Sequence, residues 1–158
     1  MLRVTKLTDY ATVVLTVLAS APEVVASAAG LAERAGLEAP TVAKVLKPLA
    51  QAGLVEAFRG ANGGYRLARP AGDISLIEIV EAMEGPLGMT ECSLHAGHCG
   101  IEDSCGARAN WRRINDVVAD ALRGVSLAQM LDGVPPASSA APRKPAHPRA
   151  IPAQLAAS

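Results

Sequence analysis

Aromatic residues are almost absent: Tyr10, Phe58, Tyr65 and Trp111 are the only four in 158 residues. The apolar half of the composition is therefore mostly Ala, Val and Leu, which favours a small helical protein over a β-sandwich or barrel rich in aromatic strands. Net charge is missing too, with 15 Lys and Arg against 15 Asp and Glu, so no overall field draws the chain to nucleic acid. No apolar run approaches the roughly 20 residues of a membrane span. The stretch from Ala11 to Ala19 is broken by Thr12 and Thr16 and lacks the charged leader and cleavage site of a secretory signal, so a cytoplasmic protein is expected. Paired catalytic carboxylates, a Ser-His constellation and a phosphate loop are also lacking, and no enzymatic activity is expected.

What is present is unevenly distributed. Residues 1–72 carry eight Lys and Arg against five Asp and Glu, a charge of +3. Residues 73–134 carry four against ten, or −6, and the remainder carries three basic residues and no acid. A mildly basic front on an acidic back fits a DNA-binding head on a body with another task. The three cysteines are just as localised: Cys92, Cys99 and Cys105 lie within fourteen residues. In a reducing compartment such a group suits ligands or redox thiols better than structural disulfides, and an odd number cannot pair within one chain.

Helical spacing of Tyr10, Val13, Val14, Val17 and Leu18 predicts a helix from Thr8 to about Ala19, capped near Thr8 or Asp9. Ser27 can cap a short helix through Leu31 to Ala35 that Gly36 ends, and a further helix starts near Pro40 with Val42, Val45, Leu46 and Leu49 inward. Two short helices joined by Gly36-Leu37-Glu38, the second with Thr41, Ala43, Lys44 and Lys47 outward, form a helix-turn-helix. Pro48 predicts a bend near Lys44 or an early loss of regularity. Strands from Leu54 to Arg59 and from Tyr65 flank Gly60-Ala61-Asn62-Gly63-Gly64, a hairpin signal, and read as a wing carrying Arg59, Arg66 and Arg69.

Ser75-Leu76-Ile77-Glu78 is a capping box opening a helix with Leu76, Ile79, Val80 and Met83 inward, which ends at Gly85-Pro86. From about Cys105 to Leu122 the apolar positions Ala107, Trp111, Ile114, Val118 and Ala121 alternate four and three, a short coiled-coil seam that wants a partner helix. Ser126 can cap a last helix to Leu131. The chain thus reads as mainly α, a winged helix-turn-helix with a long C-terminal dimerisation helix. Its parts are a DNA-binding head over 1–73, a connecting helix over 74–86, a cysteine-rich loop over 87–104, the dimerisation and short C-terminal helices over 105–133, and a Pro- and Ala-rich tail over 134–158 expected to be disordered.

Major-groove insertion would use Thr41, Lys44 and Lys47, and Arg59 could enter the adjacent minor groove. The competing reading is a winged helix serving as a protein-protein module with solvated lysines. Six residues separate Cys92 from Cys99 and five separate Cys99 from Cys105, unlike the tight pairs of structural zinc sites. Gly97, Gly100 and Gly106 would let the backbone wrap an inorganic core. An iron-sulfur cluster, another metal, a thiol redox switch and inert thiols all remain open. Three cysteines leave a cluster one ligand short, with His95, His98, Glu91 and Asp103 nearby. An iron-sulfur carrier or electron-transfer protein on a winged-helix body, or a cluster-free thiol sensor, would share these features.

Together these motifs resemble the iron-sulfur and nitric-oxide sensing winged-helix regulators of the IscR and NsrR type, from Leu7-Thr8-Asp9-Tyr10-Ala11 to about Leu131. The resemblance rests on Leu31-Ala32-Glu33, Gly53-Leu54-Val55, the run Arg59 to Tyr65, Ile77 to Gly85 and the three cysteines, and is greatest to the branch regulating SUF-type cluster assembly operons. It implies a homodimer, paired through the helix carrying Trp111, Ile114, Val118 and Ala121, that binds pseudo-palindromic double-stranded DNA operators, and the chain reads as a repressor. It also implies an iron-sulfur cluster, of 2Fe-2S type, on Cys92, Cys99 and Cys105. Arg108 occupies the position of the histidine ligand in IscR, and a permanently protonated guanidinium is a poor ligand. Asp9 matches the aspartate that completes the site from the other subunit in the nitric-oxide sensing branch, which makes Asp9 the expected fourth ligand and His98 the second candidate. Ala43 stands where IscR reads bases with glutamate, and Pro40 replaces a contacting serine.

Overall fold

The computed structural model describes residues 3–94, 100–101 and 104–132. The first helix, α1 (Lys6–Ala19), begins two residues before the expected start, because Thr5 rather than Thr8 or Asp9 supplies the cap: its side chain accepts the Thr8 N–H. Thr8 is itself buried and committed elsewhere. Helices α2 (Ala28–Ala35) and α3 (Ala39–Gln51) follow. Ser27 caps α2 through the Gly30 N–H, and Gly36 ends it in the left-handed conformation at φ 65°, which a residue with a β-carbon adopts only under strain.

The stripe Val42, Val45, Leu46 and Leu49 is fully buried against α1 and α2. It holds α3 together through Pro48, so the expected early loss of regularity does not occur and the helix runs uninterrupted to Gln51. One missing backbone bond is a smaller loss than exposing four apolar side chains, each contributing about 1.5–3 kcal/mol on burial.

Strands β1 (Val55–Phe58) and β2 (Gly64–Leu67) pair antiparallel, Val55 opposite Leu67 and Phe58 opposite Gly64. Ala26, just before α2, bridges to Tyr65 and adds a third edge to this ribbon. A 3-10 turn at Ala71–Asp73 leads into α4 (Leu76–Glu84). The Ser75 N–H donates to Glu78 Oε2 at 2.9 Å, as the capping box requires. Ile77, Ile79 and Val80 are buried in α4, whereas Leu76 and Met83, expected inward, are half-buried. A short α5 (Glu91–Leu94) appears within the expected loop, followed by α6 (Arg108–Arg123) and α7 (Leu127–Leu131).

The last described helix, α7, packs back on the start of α4 and on α1. Leu127 is fully buried, its N–H bonds the Ile74 carbonyl and the Leu76 N–H bonds the Val125 carbonyl. One core thus joins α1, α2, α3, the wing, α4 and α7. Among the described residues no helix is long and apolar enough to cross a membrane.

Candidate nucleic-acid interface and cysteine-bearing segment

Because α3 buries one stripe completely, its other side is fixed outward. Ala39, Pro40, Ala43, Lys44 and Lys47 are exposed and Thr41 is half-buried. Lys44 and Lys47 enter no ion pair among the described residues.

The wing is shaped by glycine. A β-carbon at Gly63 would lie 2.4 Å from the Phe58 carbonyl oxygen, and one at Gly64 would lie 2.5 Å from the Ala26 carbonyl oxygen. The loop closes through the Gly63 N–H to the Gly60 carbonyl at 3.0 Å, with Gly60 at φ 110°. No residue other than glycine takes a positive φ among the described residues, so Asn62-Gly63 sits in a longer loop and not in a two-residue turn of mirror-image type.

The three wing arginines, grouped by sequence, separate in space by partner. Arg66 pairs with Glu56 at 3.0 Å and stacks over the Phe58 ring at 5.1 Å. Arg69 reaches Glu78 at 2.6 Å and the Asp73 carbonyl, tying the wing's return to α4. Backbone donation from Ser75, with help from Arg69, holds the Glu78 carboxyl below the usual carboxylate range. Arg59 is exposed at the loop and takes part in no ion pair among the described residues.

A second feature lies where the start of α1 meets the end of α4. Glu84, the last residue of α4, accepts from Thr8 Oγ1 at 2.5 Å and from the Thr5 N–H at 2.9 Å. These bonds, the Thr8 hydroxyl foremost, hold its carboxyl below the ordinary glutamate value. The first turn of α1, which carries Asp9, is thereby fixed to the point where the chain leaves α4 for the cysteine-bearing segment. Asp9 is exposed and lines an open groove of about 610 Å³ together with Thr5, Thr12, Glu84, Val118 and Leu122. Sequence reasoning missed Glu84; its signal was an acidic residue at a helix C-terminus, where the helix dipole disfavours it.

Cys92 lies on α5, which packs on α6, and the Met89 N–H donates to Asn115 Oδ1 of α6 at 3.2 Å. Cys105 is a half-buried free thiol three residues before α6 begins. The segment's two ends are therefore both held at α6. Cys99, His95, His98 and Asp103 lie outside the described residues; Glu91 is exposed. Arg108, on the first turn of α6, is half-buried. Among the described residues no three His, Cys, Asp or Glu side chains gather as a preformed metal site.

Of the seam residues, Trp111, Ile114, Ala107 and Ala121 are exposed, Val118 is half-buried, and Ala119 on the opposite side is buried. Val117 is 62% exposed and belongs to the same apolar face, though the alternating four-three spacing passed over it.

Comparison with known proteins decides what this architecture is. A family model described as "Rrf2: Iron-dependent Transcriptional regulator" matches residues 4–133. The chain belongs to the Rrf2 family of transcriptional regulators. Members of this family are regulators and not enzymes. Protein aau3 of Rhizobium meliloti (strain 1021) is 36% identical over 136 residues, covering 85% of this chain and 88% of that protein. The HTH-type transcriptional regulator IscR of Enterobacter sp. (strain 638) is 30% identical over 104 residues. That match spans 66% of this chain and 63% of IscR, so less than two thirds of that relative is covered. Among solved structures, CymR, the global cysteine regulator of B. subtilis, superposes with a TM-score of 0.65 at 26% identity, covering 85% of this chain and all of that one. The Rrf2 winged-helix fold, with its small two-stranded sheet, matches the architecture described above.

Proposed function

We propose that the chain is a cytoplasmic homodimeric repressor whose hold on DNA responds to an iron-sulfur cluster or to the redox state of its thiols, and that it controls iron-sulfur assembly genes. The observation that carries the DNA half is the outward face of α3, where Lys44 and Lys47 stand exposed beside a wing whose Arg59 is exposed as well, none of the three in an ion pair among the described residues. In this reading α3 enters the major groove, with Thr41, Lys44 and Lys47 against bases and phosphates, and Arg59 reaches the minor groove. Two copies paired along Trp111, Ile114, Val118 and Ala121 would place two heads on two half-sites.

The donor chemistry of the cysteine-bearing segment fits an iron-sulfur cluster, which we propose to be of 2Fe-2S type. Cys92, Cys99 and Cys105 supply soft thiolates from one short segment whose two ends dock on α6, and Asp9 of the partner subunit would complete the set. A cluster bound there supplies a redox-active, iron-dependent centre. The chain's own residues supply the linkage. Asp9 lies on the first turn of α1, which Glu84 ties to the end of α4, so a pull on Asp9 acts on α1 and α4 together, and α1 packs directly on α2 and α3. Ligand binding at the cysteines would then favour one of two arrangements of the heads.

Iron and sulfide analysis with an absorption spectrum of the anaerobically purified protein tests the metal half. Charge-transfer bands that disappear in the triple Cys→Ser protein are expected. A colourless, iron-free protein whose DNA binding still responds to oxidant would instead establish a thiol sensor. An iron-sulfur protein with no affinity for any duplex would be a carrier. Asp9→Ala is expected to change the spectrum and His98→Ala to leave it unaltered; the reverse result moves the fourth-ligand role to His98.

A further inference from the structure

The outward face of α3 is chemically divided. Its N-terminal part presents Ala39, Pro40 and Ala43, all exposed, and its middle presents Lys44 and Lys47. Ala43 follows Ala39 by one turn and Pro40 by three residues, so the three form one small patch of carbon, with Lys47 a turn further on. Thr41, the hydroxyl residue in this stretch, is half-buried. Helix N-termini commonly bind phosphate. Here that role is opposed by Glu38, the N-cap residue, which is exposed and makes no capping bond with its side chain. A carboxylate at that point repels a phosphate group.

The end of a recognition helix that meets base edges is its N-terminal end. In this chain that end offers neither the guanidinium or ammonium that reads guanine nor the amide that reads adenine. What aliphatic carbon recognises in the major groove is the C5-methyl group of thymine. We infer that Ala39, Pro40 and Ala43 read thymine methyl groups, so that each half-site is specified by thymines beneath the start of α3, while Lys44 and Lys47 hold phosphates. The inference rests on the proposal that α3 enters the major groove, and names what it reads there. The small side chains allow the close approach that methyl contact needs, since a gap of about 0.5–1 Å already forfeits a quarter to a half of the van der Waals attraction.

Duplexes selected from a random-sequence library with the full-length protein provide the test. Thymines in each half-site are then replaced one at a time by deoxyuridine, which removes the methyl group and keeps every hydrogen-bonding atom. At least two replacements per half-site should each weaken binding about four-fold, the factor expected for one methyl group buried from water. Replacements in the flanks should have no effect, and Ala43→Gly should reduce the penalty at one position. Equal binding of thymine and deoxyuridine duplexes, or half-sites selected without thymine, overturns the inference and leaves DNA binding in place. Selection that enriches no duplex over non-specific binding, with cluster or without, overturns the DNA-binding reading itself and this inference with it.

Discussion

The stripe of α3 and the stripe of α6 are written in the same apolar alphabet but meet opposite fates. Val42, Val45, Leu46 and Leu49 are at most 1% exposed, whereas Trp111, Ile114 and Val117 on α6 are 41%, 43% and 62% exposed. Both helices are regular, and α6 is the longer by three residues. The difference is the partner: α1, α2 and the wing close over α3, while α5 and α4 cover only the Ala119 side of α6. An apolar helical face that the described residues leave open is the kind of surface that association would cover. One stripe therefore stabilises the fold, and the other is proposed to stabilise an assembly.

Substitutions can break this contrast. Leu49→Ala, in the closed stripe, is expected to cost about 2–5 kcal/mol of folding stability in a denaturant titration. Ile114→Asp, in the open stripe, should leave the far-ultraviolet dichroism of the monomer intact while sedimentation shows dissociation to single chains. If the two changes destabilise the isolated chain equally, the contrast is lost. Among surface residues, Lys47→Ala should weaken DNA binding uniformly across sequences and lower the salt slope by about one per protomer, whereas Arg59→Ala should weaken it most on sites with a narrow A·T minor groove. Arg66→Ala should change that slope far less, because Arg66 is engaged by Glu56 and Phe58.

A smaller effect belongs to the join between the two regions. Thr8→Val removes the hydroxyl donor to Glu84 and should cost about 0.5–1.5 kcal/mol, as for an ordinary hydrogen bond whose acceptor stays near water. The sign with pH follows from a depressed carboxyl: stability from Glu84 is present above the ordinary glutamate value near 4.3 and is lost as pH falls through the lower folded-state value. Glu84→Gln should thus flatten the acid limb of a stability profile and leave neutral pH less stable than the parent. An unchanged acid limb would remove Glu84 from the linkage between α4 and α1.

Much of the head was legible because its signals are local. Ser27 and Gly36 bracket α2, the Ser75–Glu78 box opens α4, and the glycines of the wing are required by carbonyls within a few ångströms. Errors arose where a distant residue decided between local options. Thr5 and Thr8 are both credible caps, and Glu84, seventy-six positions beyond Thr8, claims its hydroxyl and leaves Thr5 to cap. Pro48 argues locally for an early loss of regularity that the buried stripe around it overrides. Arg66 and Arg69 look as free as Arg59 until strand register and α4 bring Glu56 and Glu78 to them. The cysteines were legible as chemistry and not as geometry, because ligand spacing in sequence does not fix how a loop folds or which subunit supplies the remaining donor.

The central claim is that the cysteine-bearing segment and the DNA-reading face of this Rrf2 protein are coupled. It is tested most directly by titrating one selected duplex, at one salt concentration under anaerobic conditions, with the iron-loaded and the iron-depleted protein. A difference in affinity of about 5- to 150-fold, the range of ordinary allosteric coupling, is expected, and it should vanish in the triple Cys→Ser protein. Equal affinities for the two forms of the parent protein would contradict the account.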